Sequence, residues 1–260
     1  MIAKSYGQHF LNNENIAQKI AGEAIELSEK FPILEIGPGK GVLTKYLFEK
    51  SIRFMAVEAD IDMVEFLQEN FPDIDIHLMH MDFLKLDFET VFPNEEFVLF
   101  GNFPYNISSQ ILFKMIESRD RIPAMVGMFQ KEVAERIVSP KGNKDYGILS
   151  VLTQAYYTGK ILYKINPGSF SPPPKVDSAV IKLERKPELT LPCDEKLFKS
   201  IVKITFNQRR KMIRNTLKSL INDQEILQSD FFTLRPEQLS VSDFVNLTNT
   251  ISEYKKHQIL

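Results

Sequence analysis

Asn102, Phe103, Pro104 and Tyr105 stand in the run Gly101-Asn102-Phe103-Pro104-Tyr105-Asn106, which closes a short apolar stretch and precedes a helical pattern. The side-chain oxygen of Asn102 and a backbone carbonyl of Phe103 or Pro104, held rigid by the proline, make two hydrogen-bond acceptors. Such a pair suits a planar aromatic amine. The amine's lone pair is delocalised into its ring, and accepting from both N–H groups favours a tetrahedral, nucleophilic nitrogen. Tyr105 adds a flat face on which an extruded base can stack, worth ~1–3 kcal/mol. No strong general base is required, because the amine becomes acidic only as its new bond forms. Much of the rate then comes from alignment of the reacting atoms.

A second constellation lies upstream. Leu34-Glu35-Ile36-Gly37-Pro38-Gly39-Lys40-Gly41 follows an apolar run and opens a helix. A dinucleotide fingerprint needs a third glycine where Val42 stands, so a phosphate-binding loop fits poorly. The pattern E-x-G-x-G-x-G resembles the first motif of class I methyltransferases, whose ligand is cationic and lacks phosphate. Glu35 can then favour its sulfonium or amino group. Glu58, seventeen residues after Gly41, ends the next apolar run. A carboxylate there can accept from both hydroxyls of a ribose; Asp60 is a second candidate. Asp82 follows a further run and is placed to accept from an adenine amine. Asn-x-Pro-Tyr is itself similar to the catalytic motif of enzymes that methylate exocyclic amino groups of nucleobases.

The elements that must position these residues alternate. Ile33–Ile36, Arg53–Glu58, Asp75–His80, Phe97–Gly101 and Ala124–Gln130 read as strands, being short, apolar and bounded by turn residues. Val42–Lys50, Ile61–Asn70 and Ser108–Glu117 have helical spacing. Alternation of this kind implies a parallel sheet with helices on both faces. Pro172, Pro173 and Pro174 stiffen an extended segment before a last strand, Ser178–Glu184. After a Pro-containing linker at 186–192 the pattern is wholly helical. Ser240 to Asp243 is a capping box, with Val241, Phe244, Val245, Thr248 and Ile251 along one face. A domain boundary is expected near residue 186.

Composition bounds the remaining possibilities. The chain has 260 residues and one cysteine, which excludes a disulfide framework and a cysteine-rich zinc site. No apolar run is long enough to span a bilayer, and the first residues lack a signal-peptide pattern, so a cytoplasmic location is expected. His77 and His80 have metal-like spacing but no third ligand nearby; they are read as structural or exposed, and no metal is expected. The net charge is −2, yet Lys196 to Asn222 holds eight basic residues and no acid, leaving −10 for the rest. One face built for a polyanion is implied.

Longer runs carry a closer resemblance. The chain resembles the KsgA/RsmA family of small-subunit ribosomal RNA adenine dimethyltransferases in Gly7-Gln8-His9-Phe10-Leu11, Gln130-Lys131-Glu132-Val133 and Tyr146-Gly147-x-Leu149-Ser150-Val151. It does so again in Phe170-x-Pro-Pro-Pro-Lys175-Val176-Asp177-Ser178-Ala179-Val180 and in Phe206-Asn207-Gln208-Arg209-Arg210-Lys211. The resemblance implies a class I, Rossmann-like, seven-stranded methyltransferase sheet over 1–185 and a small all-α C-terminal domain over 186–260. It implies S-adenosylmethionine as co-substrate, held by His9, Leu11, Gly37, Glu58, Asp82 and Asn102, to which the glycine-loop motif adds Glu35, Gly39 and Gly41 as expected contacts. It implies catalysis through Asn102, Phe103, Pro104 and Tyr105, with the target base between Tyr105 and Phe170. The partner implied is 16S rRNA in the small subunit or its precursor, dimethylated at two adjacent adenosines; given that partner, the basic run is expected to place Arg209, Arg210, Lys211, Arg214 and Lys218 on the RNA. His9 stands where Asn is frequent in the family. Phe103 stands where Leu is frequent, and is expected to change the cavity around the amine. A monomer is the default. Rival readings are the branch that dimethylates 23S rRNA, a non-catalytic ribosome assembly factor, and a nicotinamide oxidoreductase.

Overall fold

The computed structural model describes residues 9–258; Gly7 and Gln8 of the N-terminal motif lie outside the described residues. Its strands are β1 (Phe10–Leu11), β2 (Ile33–Ile36), β3 (Phe54–Glu58), β4 (Leu78–His80), β5 (Val98–Asn102), β6 (Ala124–Gln130), β7 (Tyr157–Ile165), β8 (Phe170–Ser171) and β9 (Ser178–Arg185). Its α-helices are α1 (Glu14–Ser28), α2 (Thr44–Glu49), α3 (Ile61–Asn70), α4 (Ser108–Glu117), α5 (Lys131–Val138), α6 (Ile148–Gln154), α7 (Glu195–Asn207), α8 (Ile213–Thr216), α9 (Gln224–Gln228) and α10 (Val241–His257).

Seven strands form one sheet in the order β4-β3-β2-β5-β6-β9-β7. The first five are mutually parallel and β9 runs antiparallel to β6. Strand order reverses between β2 and β5, so a crevice opens beyond their carboxyl ends. Every residue of β2 is buried, as expected of a strand covered on both faces. Helix α1 buries Ala17, Ile20, Ala21 and Ala24, at the spacing of one helical face, and Asn13 caps it by accepting from the Ile16 N–H. A second, two-stranded sheet pairs β1 with β8, Phe10 opposite Ser171 and Leu11 opposite Phe170.

The third expected strand is only half a strand. Asp73 adopts a left-handed conformation (φ 62°), and Ile74–Ile76 form a 3₁₀ turn before β4 begins at Leu78. His77 therefore does not alternate with His80 along a strand. Its ring stacks on Phe54 at 4.5 Å and its Nδ1 donates to the Phe54 carbonyl, while His80 is exposed.

The chain divides into two compact units. Among the described residues, one comprises those up to Ala134 together with Gly159–Arg185, and the other Glu135–Thr158 together with those from Lys186 onward. A single boundary near 186 thus leaves out a segment. Residues 135–158 pack with the C-terminal helices because Tyr146 meets Phe206 there, and Arg209 donates to the carbonyls of Asn143 and Lys144. Within this second unit, Ser240 caps α10 in the expected box, and Phe244, Val245, Thr248 and Ile251 are buried on one face. Among the described residues, no helix is long and apolar enough to cross a membrane.

Candidate active site

The glycine loop leaves β2 with Gly37, Gly39 and Gly41 all at positive φ, 66°, 55° and 75°. That backbone is strained for any side chain other than glycine's hydrogen. Space is restricted as well: a Cβ on Gly41 would lie 2.4 Å from the Phe71 ring, and one on Gly39 3.0 Å from Phe10. A cavity of about 490 Å³ opens over this loop. His9, Leu11, Glu35, Gly37, Gly39, Glu58, Asp82 and Asn102 to Tyr105 all line it, whereas Gly41 shapes the turn from outside the lining.

Glu58 ends β3 with its carboxylate already oriented. Oε2 accepts from the Gly39 N–H at 3.0 Å, and Oε1 accepts from the N–H groups of Ala59 and Asp60. Burial raises its pKa and these three donors pull it back. The carboxylate therefore ties the glycine loop to the neighbouring strand. Asp60 serves as the N-cap of α3. Asp82 Oδ1 caps the 3₁₀ turn Phe83–Lys85 by accepting from Leu84 N–H, so one oxygen of this acid is structural.

Glu35 differs from its expected role as a standing anion. It is 1% exposed, and burial pushes its carboxyl up to about 8, with the Glu58 charge adding to the rise and the Thr44 hydroxyl opposing it. Near neutral pH it therefore keeps its proton. Its Oε2 is buried without a hydrogen-bond partner. An unpartnered carboxyl oxygen under a polar crevice suits a cationic ligand group better than a phosphate.

Asn102 closes β5. Its Nδ2 donates to the His9 carbonyl at 3.0 Å, which fixes the amide orientation because a carbonyl can only accept. The Oδ1 is left as the acceptor. His9 is in turn held by its ring, whose Nδ1 donates to the Pro172 carbonyl at 2.8 Å and which lies 5.6 Å from the Tyr105 ring. The Tyr105 hydroxyl shares a 2.6 Å hydrogen bond with Ser178 of β9. The aromatic wall of the cavity is thus anchored at both ends.

Phe103 and Phe170 are both buried, and only Phe170 departs from its expected place on the cavity wall. Phe103 is 1% exposed and turns its ring onto β6, edge-on to Phe129 at 5.2 Å. It fills the space over Gly127, where a Cβ would come within 2.2 Å of it. The larger side chain is thus accommodated mostly in the core, while Phe103 still contributes to the lining of the cavity. Phe170 is 3% exposed, belongs to the core with Leu11 and Val180, and does not line the cavity. Opposite Leu11 in the β1–β8 pair its ring has apolar neighbours, and burying it stabilises that pair.

The basic stretch is uneven. Arg209 is committed within its own unit, to the carbonyls of Asn143 and Lys144 and to Glu237 at 3.9 Å. Arg210, Lys211 and Lys218 are exposed and Arg214 partly so; among the described residues their side chains have no ion pair. Sequence reading missed Ser178 as the tyrosine anchor, Lys114 behind the Asp82 turn, and Gly127 under Phe103. A glycine inside an apolar strand was the available signal for the last.

The parallel sheet, glycine loop and acid-ended strands define a class I methyltransferase. Comparison with known proteins narrows this. The family model described as "Ribosomal RNA adenine dimethylase" matches residues 1–257, and the chain belongs to that family. It is 49% identical over 254 residues to ribosomal RNA small subunit methyltransferase A of Bacteroides thetaiotaomicron, covering 97% of this chain and 95% of that one. It is 50% identical over 248 residues to the protein of the same name from Flavobacterium johnsoniae, with 95% of each covered. Among solved structures, a dimethyladenosine transferase from Plasmodium falciparum aligns with a TM-score of 0.79 at 27% identity, over 95% of this chain and 98% of that one. The 23S rRNA methyltransferase ErmE aligns with a TM-score of 0.67 at 25% identity, over 92% and 99%.

Proposed function

We propose that this enzyme transfers methyl groups from S-adenosylmethionine to the exocyclic amines of two adjacent adenosines near the 3′ end of 16S rRNA, in the small ribosomal subunit or its precursor. The observation that carries the chemistry is the fixed amide of Asn102, with its donor spent on His9 and its acceptor free. The small-subunit choice is supported by relatives near 50% identity that carry that name, against 25% for the 23S enzyme.

The cavity suits the co-substrate. Glu58, held by three backbone donors, accepts from ribose hydroxyls; Asp82 accepts from the adenine amine through the oxygen not used as a cap; Glu35 receives the cationic amino end. When bound, S-adenosylmethionine supplies an electrophilic methyl group. Asn102 Oδ1 and a carbonyl of the Phe103-Pro104 pair accept the two hydrogens of the adenine amine, and Tyr105 stacks the base. The amine's proton leaves to solvent after methyl transfer. Arg210, Lys211, Arg214 and Lys218 of the helical unit bind RNA backbone. The enzyme acts as a cytoplasmic monomer on the assembling subunit.

The test supplies radiolabelled S-adenosylmethionine to unmodified small subunits, followed by nucleoside analysis. Dimethyladenosine in 16S rRNA, lost with Asn102→Ala, is expected. Labelling of large-subunit RNA alone would reverse the substrate, and absence of transfer despite cofactor binding would leave a non-catalytic assembly role.

A further inference from the structure

Helix α4 begins directly after the Asn-Phe-Pro-Tyr run and carries Lys114 two turns along. The Lys114 side chain is partly buried and turns its ammonium onto backbone carbonyls. It donates to the carbonyls of Phe83 at 2.8 Å, Leu84 at 3.1 Å and Leu86 at 2.6 Å, which uses all three of its hydrogens. It also lies over the rings of Phe83 and Phe88, 5.0 and 4.8 Å from their centroids. The turn it holds is the one Asp82 caps from its other end, and residues 81–85 form one wall of the cavity. The Phe83 carbonyl also accepts from the Leu86 N–H that closes the turn, whereas among the described residues no backbone N–H donates to the carbonyls of Leu84 and Leu86, so the ammonium is what ties those two to α4. Asp82 and Asp87 are the acids that face Lys114, and both favour its charged form against the burial that lowers its pKa.

We propose that Lys114 is a positioning residue for the co-substrate: by tying the three carbonyls of residues 83–86 to α4, it holds Asp82 in place and locks the adenine wall to the helix that starts at the target-amine motif. It rests on the reading of residues 81–85 as a co-substrate wall. The side chain does not line the cavity, so its effect falls on co-substrate affinity and not on the chemical step.

The experiment compares full-length wild type with Lys114→Met, which keeps the stem and removes the ammonium. Titration with S-adenosylhomocysteine measures affinity, and small-subunit methylation gives KM for S-adenosylmethionine and kcat. The expected result is a Kd and KM raised about tenfold, with kcat at saturating co-substrate within about twofold of wild type. Lys114→Cys treated with an aminoethylating reagent, which restores an ammonium at nearly the same reach, should recover most of the affinity. An unchanged Kd in a folded Lys114→Met protein overturns the proposal, as does a fall in kcat with no change in KM. If the methionine variant does not fold, Lys114→Gln, whose neutral amide keeps two of the three donors, carries the same test. Asp82→Ala run in parallel separates the two readings. Unchanged affinity there removes the co-substrate wall itself; weakened affinity there with unchanged affinity in Lys114→Met removes only the role of Lys114.

Discussion

The cavity at the carboxyl ends of β2, β3 and β5 and the basic stretch after α7 both concentrate polar residues, but they organise them in opposite ways. In the cavity, side chains are engaged before any ligand arrives, by partners far away in sequence. Asn102 is held by His9, 93 residues distant, and Tyr105 by Ser178, 73 residues distant. In the basic stretch, Arg210, Lys211 and Lys218 stand in solvent close to one another in sequence, whereas Arg209 is tied to two carbonyls. Aligning an amine with a methyl group demands sub-ångström placement, which only prior engagement supplies. Attraction to a phosphate backbone is long-ranged and tolerant of geometry, so mobile charges suffice.

The comparison is broken most sharply at Asn102. Asn102→Ala should lower single-turnover methylation by about 10²–10³, the usual cost of removing one oriented group from a reacting centre. Asn102→Asp separates acceptor from orientation. It keeps an acceptor but cannot donate to the His9 carbonyl, and it should remain at least about tenfold below wild type. Activity near wild type in the aspartate variant would mean that the hydrogen bond to His9 does not matter.

The basic stretch gives the next largest effects. Arg210→Glu with Lys211→Glu should weaken RNA binding by about tenfold or more and leave S-adenosylhomocysteine affinity unchanged. A finer contrast uses one substitution at two neighbours. Arg210→Gln should reduce the salt dependence of RNA binding by about one unit of slope, the share of a single phosphate contact. Arg209→Gln should leave that slope alone and cost about 1 kcal/mol of stability, because it releases the carbonyls of Asn143 and Lys144. Equal slopes and equal melting temperatures for the two variants would erase the distinction drawn between them.

Much of the scaffold was legible in sequence because its signals are local. The strand Ala124–Gln130 and the helices Ile61–Asn70 and Ser108–Glu117 match the structure end to end, the first of these helices starting at the side-chain cap of Asp60. Residues 75–77 misled because isoleucines flanking an aspartate mimic strand alternation, whereas the left-handed Asp73 starts a 3₁₀ turn. The cavity residues were legible by type and order along the chain. Their partners were not, since neither Ser178 under Tyr105 nor the His9 carbonyl on Asn102 leaves a periodic trace. The burial of Phe170 and the raised pKa of Glu35 arise from contacts across the fold, which no spacing encodes. Lys114 had one faint signal, a lysine among the apolar residues of α4.

Phe103 over Gly127 tests whether the core beneath the motif shares the cavity's rigidity. Gly127→Ala should destabilise the protein by about 1–3 kcal/mol, because the added carbon overlaps the Phe103 ring and a packed core does not yield. Phe103→Leu should create a void, at a cost of similar sign. Combined, the two changes exchange volume, and the double variant should be more stable than the sum of the single effects implies. Strict additivity in thermal melts would show that ring and glycine do not constrain each other.

The smallest effect is a pH slope set by Glu35. Its carboxyl is neutral in the folded protein up to about 8, whereas in the unfolded chain it ionises near the ordinary carboxylate value. Between those two points the folded state holds a proton that the unfolded state has lost. Stability conferred by the neutral form is therefore complete at low pH and declines as pH rises through that window, by at most about 1.4 kcal/mol per pH unit. Glu35→Gln cannot ionise and should flatten the decline: between pH 6 and 7 it should lose about 1 kcal/mol less than wild type in denaturant melts. A cationic ligand meeting this carboxyl favours its ionised form, so binding of S-adenosylmethionine near pH 7 should release a proton in wild type and none in the glutamine variant. Buffers of different ionisation enthalpy read that proton directly in calorimetry. Equal proton release from both proteins would place the ligand's charge elsewhere in the cavity and leave Glu35 a purely structural acid of β2.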